Sequence, residues 1–222
     1  MKLVPAAAGV SLSALDTMYP SALEVVTGDV ERAITTATTF GFVLAGSATV
    51  RLGALGGELC AGGYFCAPGG FSLRADGLVV LVVRHGYLGL PQLGAIEAKG
   101  RLAYIDGCSD SLLVSPPRLG DPAFNHLHFP AEIDQSEHLH PSIRLGVVAR
   151  GRGFARLRSG EVPLDRGMVF LLDAHERHSF RTADAPMDVI AYHPDSDWGP
   201  TDAAHPMKTR TYLSPDAREP GR

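Results

Sequence analysis

Three histidines in the second half of the chain have the types and spacing of a metal site. His138 and His140 are two residues apart, so on a β-strand, where side chains alternate, both imidazoles face one side and one segment delivers two ligands. A third, His178, closes the stretch Gly167-Met-Val-Phe-Leu-Leu-Asp-Ala-His-Glu-Arg-His178, in which an apolar run leads into a polar turn. Imidazole binds zinc, copper, iron and nickel, and three of them leave coordination positions open for water, oxygen or substrate. Other polar side chains surround this set. His126 and His128 also alternate by two and share a face, His175 lies three residues before His178, and Tyr192 ends the last apolar strand beside His193. If they face the interior, these are groups that touch substrate or ligands. The plainer readings are surface histidines for His126 and His128, an exposed loop residue for His175 and a core aromatic for Tyr192. Glu137, adjacent to His138, is expected to face away as a solvated carboxylate.

Elements that could hold such residues are short and extended. Gly (25) and Pro (16) are spread as punctuation between Val, Leu and Phe runs, which is the pattern of a many-stranded β-protein. Strands are expected over residues 40–44, 48–52, 78–83, 112–114, 124–129, 145–149, 154–157, 168–172 and 187–192. A short helix is expected over 21–26, and no sustained 3.6-residue stripe occurs in the middle of the chain.

The 222 residues are enough for two lobes of about 100 residues, each with a core of its own. A rough internal repeat, close to 105 residues, supports that division. Phe42-Val-Leu-Ala-Gly46 corresponds to Val147-Val-Ala-Arg-Gly151, and Gly63-Tyr-Phe-Cys-Ala-Pro68 to the run from Gly167 to Leu172. The first copy lacks the histidines: Leu73 falls near the place of His178, and the stretch before Phe42 reads Thr35-Thr-Ala-Thr-Thr39. Residues 1–103 are expected to form a lobe without metal ligands, 104–198 a metal-binding lobe, and 199–222 a tail that folds over a barrel mouth or packs on a partner.

Net charge of −4 and pI near 6.1 argue against nucleic acid as a partner. Cys60, Cys66 and Cys108 have neither disulfide-scaffold nor zinc-site spacing, which fits a reducing cytoplasm. No uncharged apolar span reaches 18 residues, so no membrane association is expected. The expected partners are a small-molecule substrate and, from exposed sheet edges, a second copy in a homodimer.

Taken together, the motifs resemble the cupin superfamily. The first cupin motif, G-x5-H-x-H-x3-E-x6-G, is met by Glu132, His138, His140, Arg144 and Gly151 at its marked positions; the second, G-x5-P-x-G-x2-H-x3-N, by Gly167, Asp173, His175, His178 and Thr182. All three histidines and two glycines match, while Arg144 replaces the acidic ligand and Asp173, His175 and Thr182 replace Pro, Gly and Asn. The resemblance is clear over residues 120–193 and faint over 30–90. It implies an all-β chain of two tandem cupin (double-stranded β-helix, jelly-roll) barrels, a bicupin whose N-terminal half is degenerate.

Resemblance to three-His cupins further implies a divalent metal, Fe(II) first, with Zn, Mn, Ni or Cu as alternatives, held by His138, His140 and His178. Without a carboxylate ligand the metal's charge stays uncompensated and an anionic substrate is welcome; Arg144, pointing inward as the motif alignment implies, suits bidentate capture of a carboxylate or enolate. The leading expectation is a non-haem Fe(II) oxygenase or dioxygenase. The alternatives are a redox-neutral isomerase, lyase or cyclase with His126, His128 or His175 as general base, and a small-molecule-binding cupin without catalysis.

Overall fold

The computed structural model describes residues 1–33, 35–196, 199 and 201. Trp198, His205 and, apart from Gly199 and Thr201, the expected C-terminal tail lie outside the described residues.

Short apolar runs bounded by Gly, Pro and polar residues produce strands almost throughout. In chain order they are β1 (Lys2–Pro5), β2 (Ser11–Ala14), β3 (Ser21–Arg32), β4 (Ala37–Leu52), β5 (Leu55–Cys60), β6 (Gly63–Pro68), β7 (Phe71–His85) and β8 (Gln92–Ala95). The second half continues with β9 (Leu102–Ala103), β10 (Ser109–Val114), β11 (Ala123–Phe129), β12 (Arg144–Leu157), β13 (Gly160–Asp165), β14 (Met168–Leu172), β15 (His178–Arg181) and β16 (Met187–His193). The helix expected over 21–26 is instead the start of β3. Ser21, Leu23 and Val25 are buried while Ala22, Glu24 and Val26 are half-buried, a period of two that a helix cannot satisfy. No helix among the described residues is long and apolar enough to cross a membrane.

The strands form two antiparallel sheets. One has seven strands in the order β2-β3-β7-β4-β6-β8, with β5 on β4; the other has nine, β1-β14-β12-β16-β11-β10-β9, with β13 and β15 on β12. The N-terminal strand β1 therefore belongs to the C-terminal sheet, Leu3 pairing with Phe170. The Met1 ammonium reaches across to the Glu176 carboxylate.

Both sheets repeat one backbone plan. The long strands β4 and β12 each change partners midway, and the ladder slips at Leu44 in the first and Ala149 in the second. Two residues later the chain turns on Gly46 (φ 74°) and Gly151 (φ 67°). A Cβ there would lie 1.7 Å from the Asp76 carbonyl oxygen and 1.9 Å from that of Pro186, so only glycine fits. The Gly62 N–H donates to the Val43 carbonyl as the Gly167 N–H does to Val148, each at 2.8 Å, which makes Gly62, not Gly63, the counterpart of Gly167.

Strand pleating divides the apolar side chains into three cores. Phe65, Phe71, Leu73 and Leu81 fill the inside of the first lobe. Leu127, Phe129, Val148, Phe170 and Phe180 fill the second. The largest core lies between the lobes, where Leu23, Phe40, Phe42 and Val80 meet Phe124, Leu145, Val147, Ile190 and Tyr192. Burying these side chains, each worth about 1.5–3 kcal/mol, holds the two sheets together.

Candidate metal centre

The C-terminal lobe brings His138, His140 and His178 together although they come from different elements. His178 opens β15. The segment carrying His138 and His140 is not a regular strand as expected but a loop held by one β-bridge, between His138 and His178. A further backbone bond, from the His175 N–H to the His140 carbonyl at 2.8 Å, ties the same loop to the turn before β15. The imidazole ring centroids are 4.4 Å (His138 to His178) and 5.0 Å (His140 to each of the others) apart. One nitrogen from each lies within 4.8 Å of the other two, and the three could hold a metal ion.

The chemistry of this donor set fits a cation. Nδ1 of His138 sits 2.9 Å from the Ser136 carbonyl, and Nδ1 of His178 sits 2.9 Å from that of Glu176. A carbonyl only accepts, so in both rings Nδ1 carries the proton and Nε2 keeps its lone pair for a ligand bond. Burial, with the nearby Arg144 charge and the other two histidines, holds His140 down to about 3. Burial is also the main cause that lowers His178 to about 4, partly countered by its bond to Glu176. Imidazoles that resist protonation remain available to a metal at neutral pH.

Arg144 lines the same cavity as the three histidines. Its Nη1 donates to Ser142 Oγ at 2.7 Å and to the Ile143 carbonyl at 2.8 Å, while the Ser142 hydroxyl bonds to Asp195. The guanidinium is thus fixed in place rather than free to swing. The cavity measures about 30 Å³, walled by Phe129, Phe170, Leu172 and Phe180 together with Gln135 and His193.

The other four sequence candidates do not reach this cavity. Leu127 and Phe129 turn inward on β11, so His126 and His128 point to the opposite face. There both donate to one Asp188 oxygen, at 3.0 Å and 2.7 Å. Burial opposes ionisation of Asp188, but the two imidazole donors outweigh it and leave its pKa lowered. Tyr192 turns into the interface between lobes, its hydroxyl 3.1 Å from Ser21 Oγ and its ring 5.2 Å from that of Phe40. His175 is exposed. It has φ 60°, and Glu132 has φ 63°, so both positions where the family motif has glycine keep a left-handed backbone without glycine. Glu137 is exposed and pairs with Arg177 at 2.9 Å.

Three polar residues that line the cavity, Tyr104, Gln135 and His193, were not among the sequence candidates. His193 follows Val189 and Ala191 on the inward face of β16, and period-two alternation from those apolar residues was the signal that could have preferred it to Tyr192. Gln135 lies in the irregular segment before His138, where nothing in the sequence marks its direction; its Oε1 accepts the Phe180 N–H at 3.3 Å.

In the first lobe the equivalent position is filled by an aromatic ring. Arg51 pairs with Ser72 as Arg156 pairs with Ser179, so one step further Phe71, not Leu73, stands where His178 stands. The turn before it is shorter by two residues, which displaced the alignment. Phe71 packs on Phe65, centroids 5.7 Å apart.

Comparison with known proteins agrees with this architecture. Residues 128–217 match the family model described as the AraC-like ligand binding domain. No curated protein matches the sequence. Among solved structures, the chain is similar to a cupin 2 conserved barrel domain protein from Leptotrichia buccalis (14% identity, TM-score 0.64, covering 86% of this chain and 95% of that one). It is also similar to salicylate 1,2-dioxygenase from Pseudoaminobacter salicylatoxidans, solved as adducts with gentisate (10%, 0.61, covering 82% and 72%). A third is oxalate decarboxylase from Bacillus subtilis, studied for its Mn(II) centres (10%, 0.56, covering 85% and 73%). At such identities the likeness concerns the backbone, and the backbone of this chain has the cupin fold.

Proposed function

We propose that the chain is a bicupin with one working half, in which His138, His140 and His178 hold a divalent metal, Fe(II) first, and that it is an oxygenase for a small anionic, metal-chelating substrate. The observation that carries this reading is the convergence of three imidazoles, two with Nδ1 fixed by a carbonyl, in one cavity with a fixed arginine. A bound divalent cation supplies Lewis acidity and, as iron, the electrons that oxygen chemistry needs. Arg144, its Nη1 held by Ser142 and Ile143, attracts an anionic substrate through its charge. Phe129, Phe170, Leu172 and Phe180 exclude water, which strengthens that attraction. The small cavity favours a substrate of few heavy atoms.

The test is anaerobic loading with Fe(II), metal analysis, and oxygen uptake with a panel of small chelating carboxylates. One metal per chain and substrate-dependent uptake support the reading. No stoichiometric metal, or no uptake with any of them, overturns it; turnover that persists without oxygen and with zinc or manganese assigns redox-neutral chemistry instead.

A second reading is favoured by the AraC-like match over residues 128–217: the lobe binds a small molecule without transforming it. Tight binding with no turnover under any metal would select it. The proposal extends to a homodimer in a reducing cytoplasm, in keeping with three free cysteines and unpaired sheet edges. Sedimentation equilibrium at monomer mass would remove the dimer.

A further inference from the structure

The polar wall of the cavity continues beyond the metal ligands to His193. Leu145 pairs with Tyr192, so one step further in that antiparallel register Arg144 stands opposite His193 on the inward face. Side chains so opposed have Cβ atoms about 5 Å apart. On its other side the His193 ring meets that of His140, centroids 6.1 Å apart. Arg144, His193 and His140 thus neighbour one another on the cavity wall. Unlike His138 and His178, the His193 imidazole makes no hydrogen bond among the described residues. A half-buried imidazole without a protein partner, lining the cavity, is open to a hydrogen bond from a ligand.

We infer that His193 is a substrate-contact residue that selects short hydroxy- or oxo-carboxylates, with the carboxylate toward Arg144 and the oxygen substituent between His193 and the triad. The inference rests on the proposed roles of Arg144 and the triad and narrows the substrate class. Neutral imidazole carries one donor and one acceptor, so it accepts from a hydroxyl or donates to an oxo group. An unsubstituted alkanoate offers it neither. The cavity, about 30 Å³, is suited to nothing bulky.

Binding of lactate, pyruvate and propionate decides the matter. Calorimetry uses Zn(II)-loaded protein, and imidazole ¹⁵N resonances are followed in metal-free protein. We expect lactate or pyruvate to bind at least roughly tenfold more tightly than propionate. His193→Leu should lose the His193-dependent part of that preference while keeping zinc stoichiometry and propionate affinity, and His193→Gln should restore part of it. In metal-free wild-type protein the His193 resonances should move with lactate or pyruvate and stay with propionate. A His193→Leu protein that holds zinc and keeps the full preference overturns the inference. So do unmoved His193 resonances, which decide alone if the leucine variant fails to fold. Absence of zinc from the wild-type protein is read before any acid is added and counts against the metal centre, not against His193.

Discussion

His138 and His178 hydrogen-bond through their backbones in both directions, N–H to carbonyl at 2.9 Å each way. The main chain therefore sets the distance between two of the three imidazoles, and removing a side chain leaves the bridge intact. His138→Ala should lower zinc affinity by about 100-fold or more. Wild-type protein should gain about 2.7 kcal/mol of stability at a zinc concentration 100 times Kd. Thermal unfolding with and without zinc, beside metal analysis, checks both; a variant stabilised as much as the wild type would remove His138 from the ligand set.

Acid should destabilise the metal-free protein. His140 is held at about 3 and His178 at about 4, whereas in the unfolded chain both titrate near 6.5. From about pH 6.5 down to pH 4 the unfolded state binds more protons, so stability falls with pH, then levels off below the folded values. Above pH 6.5 both are neutral in either state and contribute no slope. Urea midpoints at several pH values, compared with a His140→Asn, His178→Asn double variant, should show a flatter profile in the variant.

Glu132 and His175 hold left-handed backbone without glycine. Glu132→Gly and His175→Gly should each stabilise the fold by about 1 kcal/mol, relief of local strain exceeding the entropy that glycine adds to the unfolded chain. Metal content should not change for His175→Gly, since the ring is outside the cavity. Loss of metal in that variant would return His175 to the site.

Asp188 accepts from His126 and His128 and lies 3.7 Å from the Arg150 guanidinium. Asp188→Asn should cost about 1–3 kcal/mol by weakening both imidazole bonds, with zinc stoichiometry unaltered. Chemical denaturation and metal analysis distinguish this from a role at the metal centre.

Tyr192→Phe removes one hydroxyl from the interface between lobes. A loss of about 1 kcal/mol with unchanged carboxylate binding is expected. Altered ligand binding with intact stability would show that the phenol acts in the cavity after all.

How much was legible in advance follows from the range of each signal. The nine expected strands all lie within strands of the structure, because short apolar runs between turn-forming residues are a local property of the chain. The segment over 21–26 went wrong where six residues are too few to separate period two from 3.6, and pairing of β3 with β7 settled it. The triad was legible because its spacing survives in the chain, even though the pair at 138 and 140 is carried by a bridge and not a strand.

The sequence by itself determined the elements, the repeat and the presence of three histidines at separations that one site can use. Only the tertiary structure decided direction. Whether His126 or Leu127 faces the cavity, and whether Tyr192 or His193 does, depends on which side of a strand meets the second lobe, and both sides of β11 and β16 are buried. A strand covered on two faces has no polar side to orient it, so the packing of one sheet on the other, through Phe40, Leu145 and Tyr192, makes that choice.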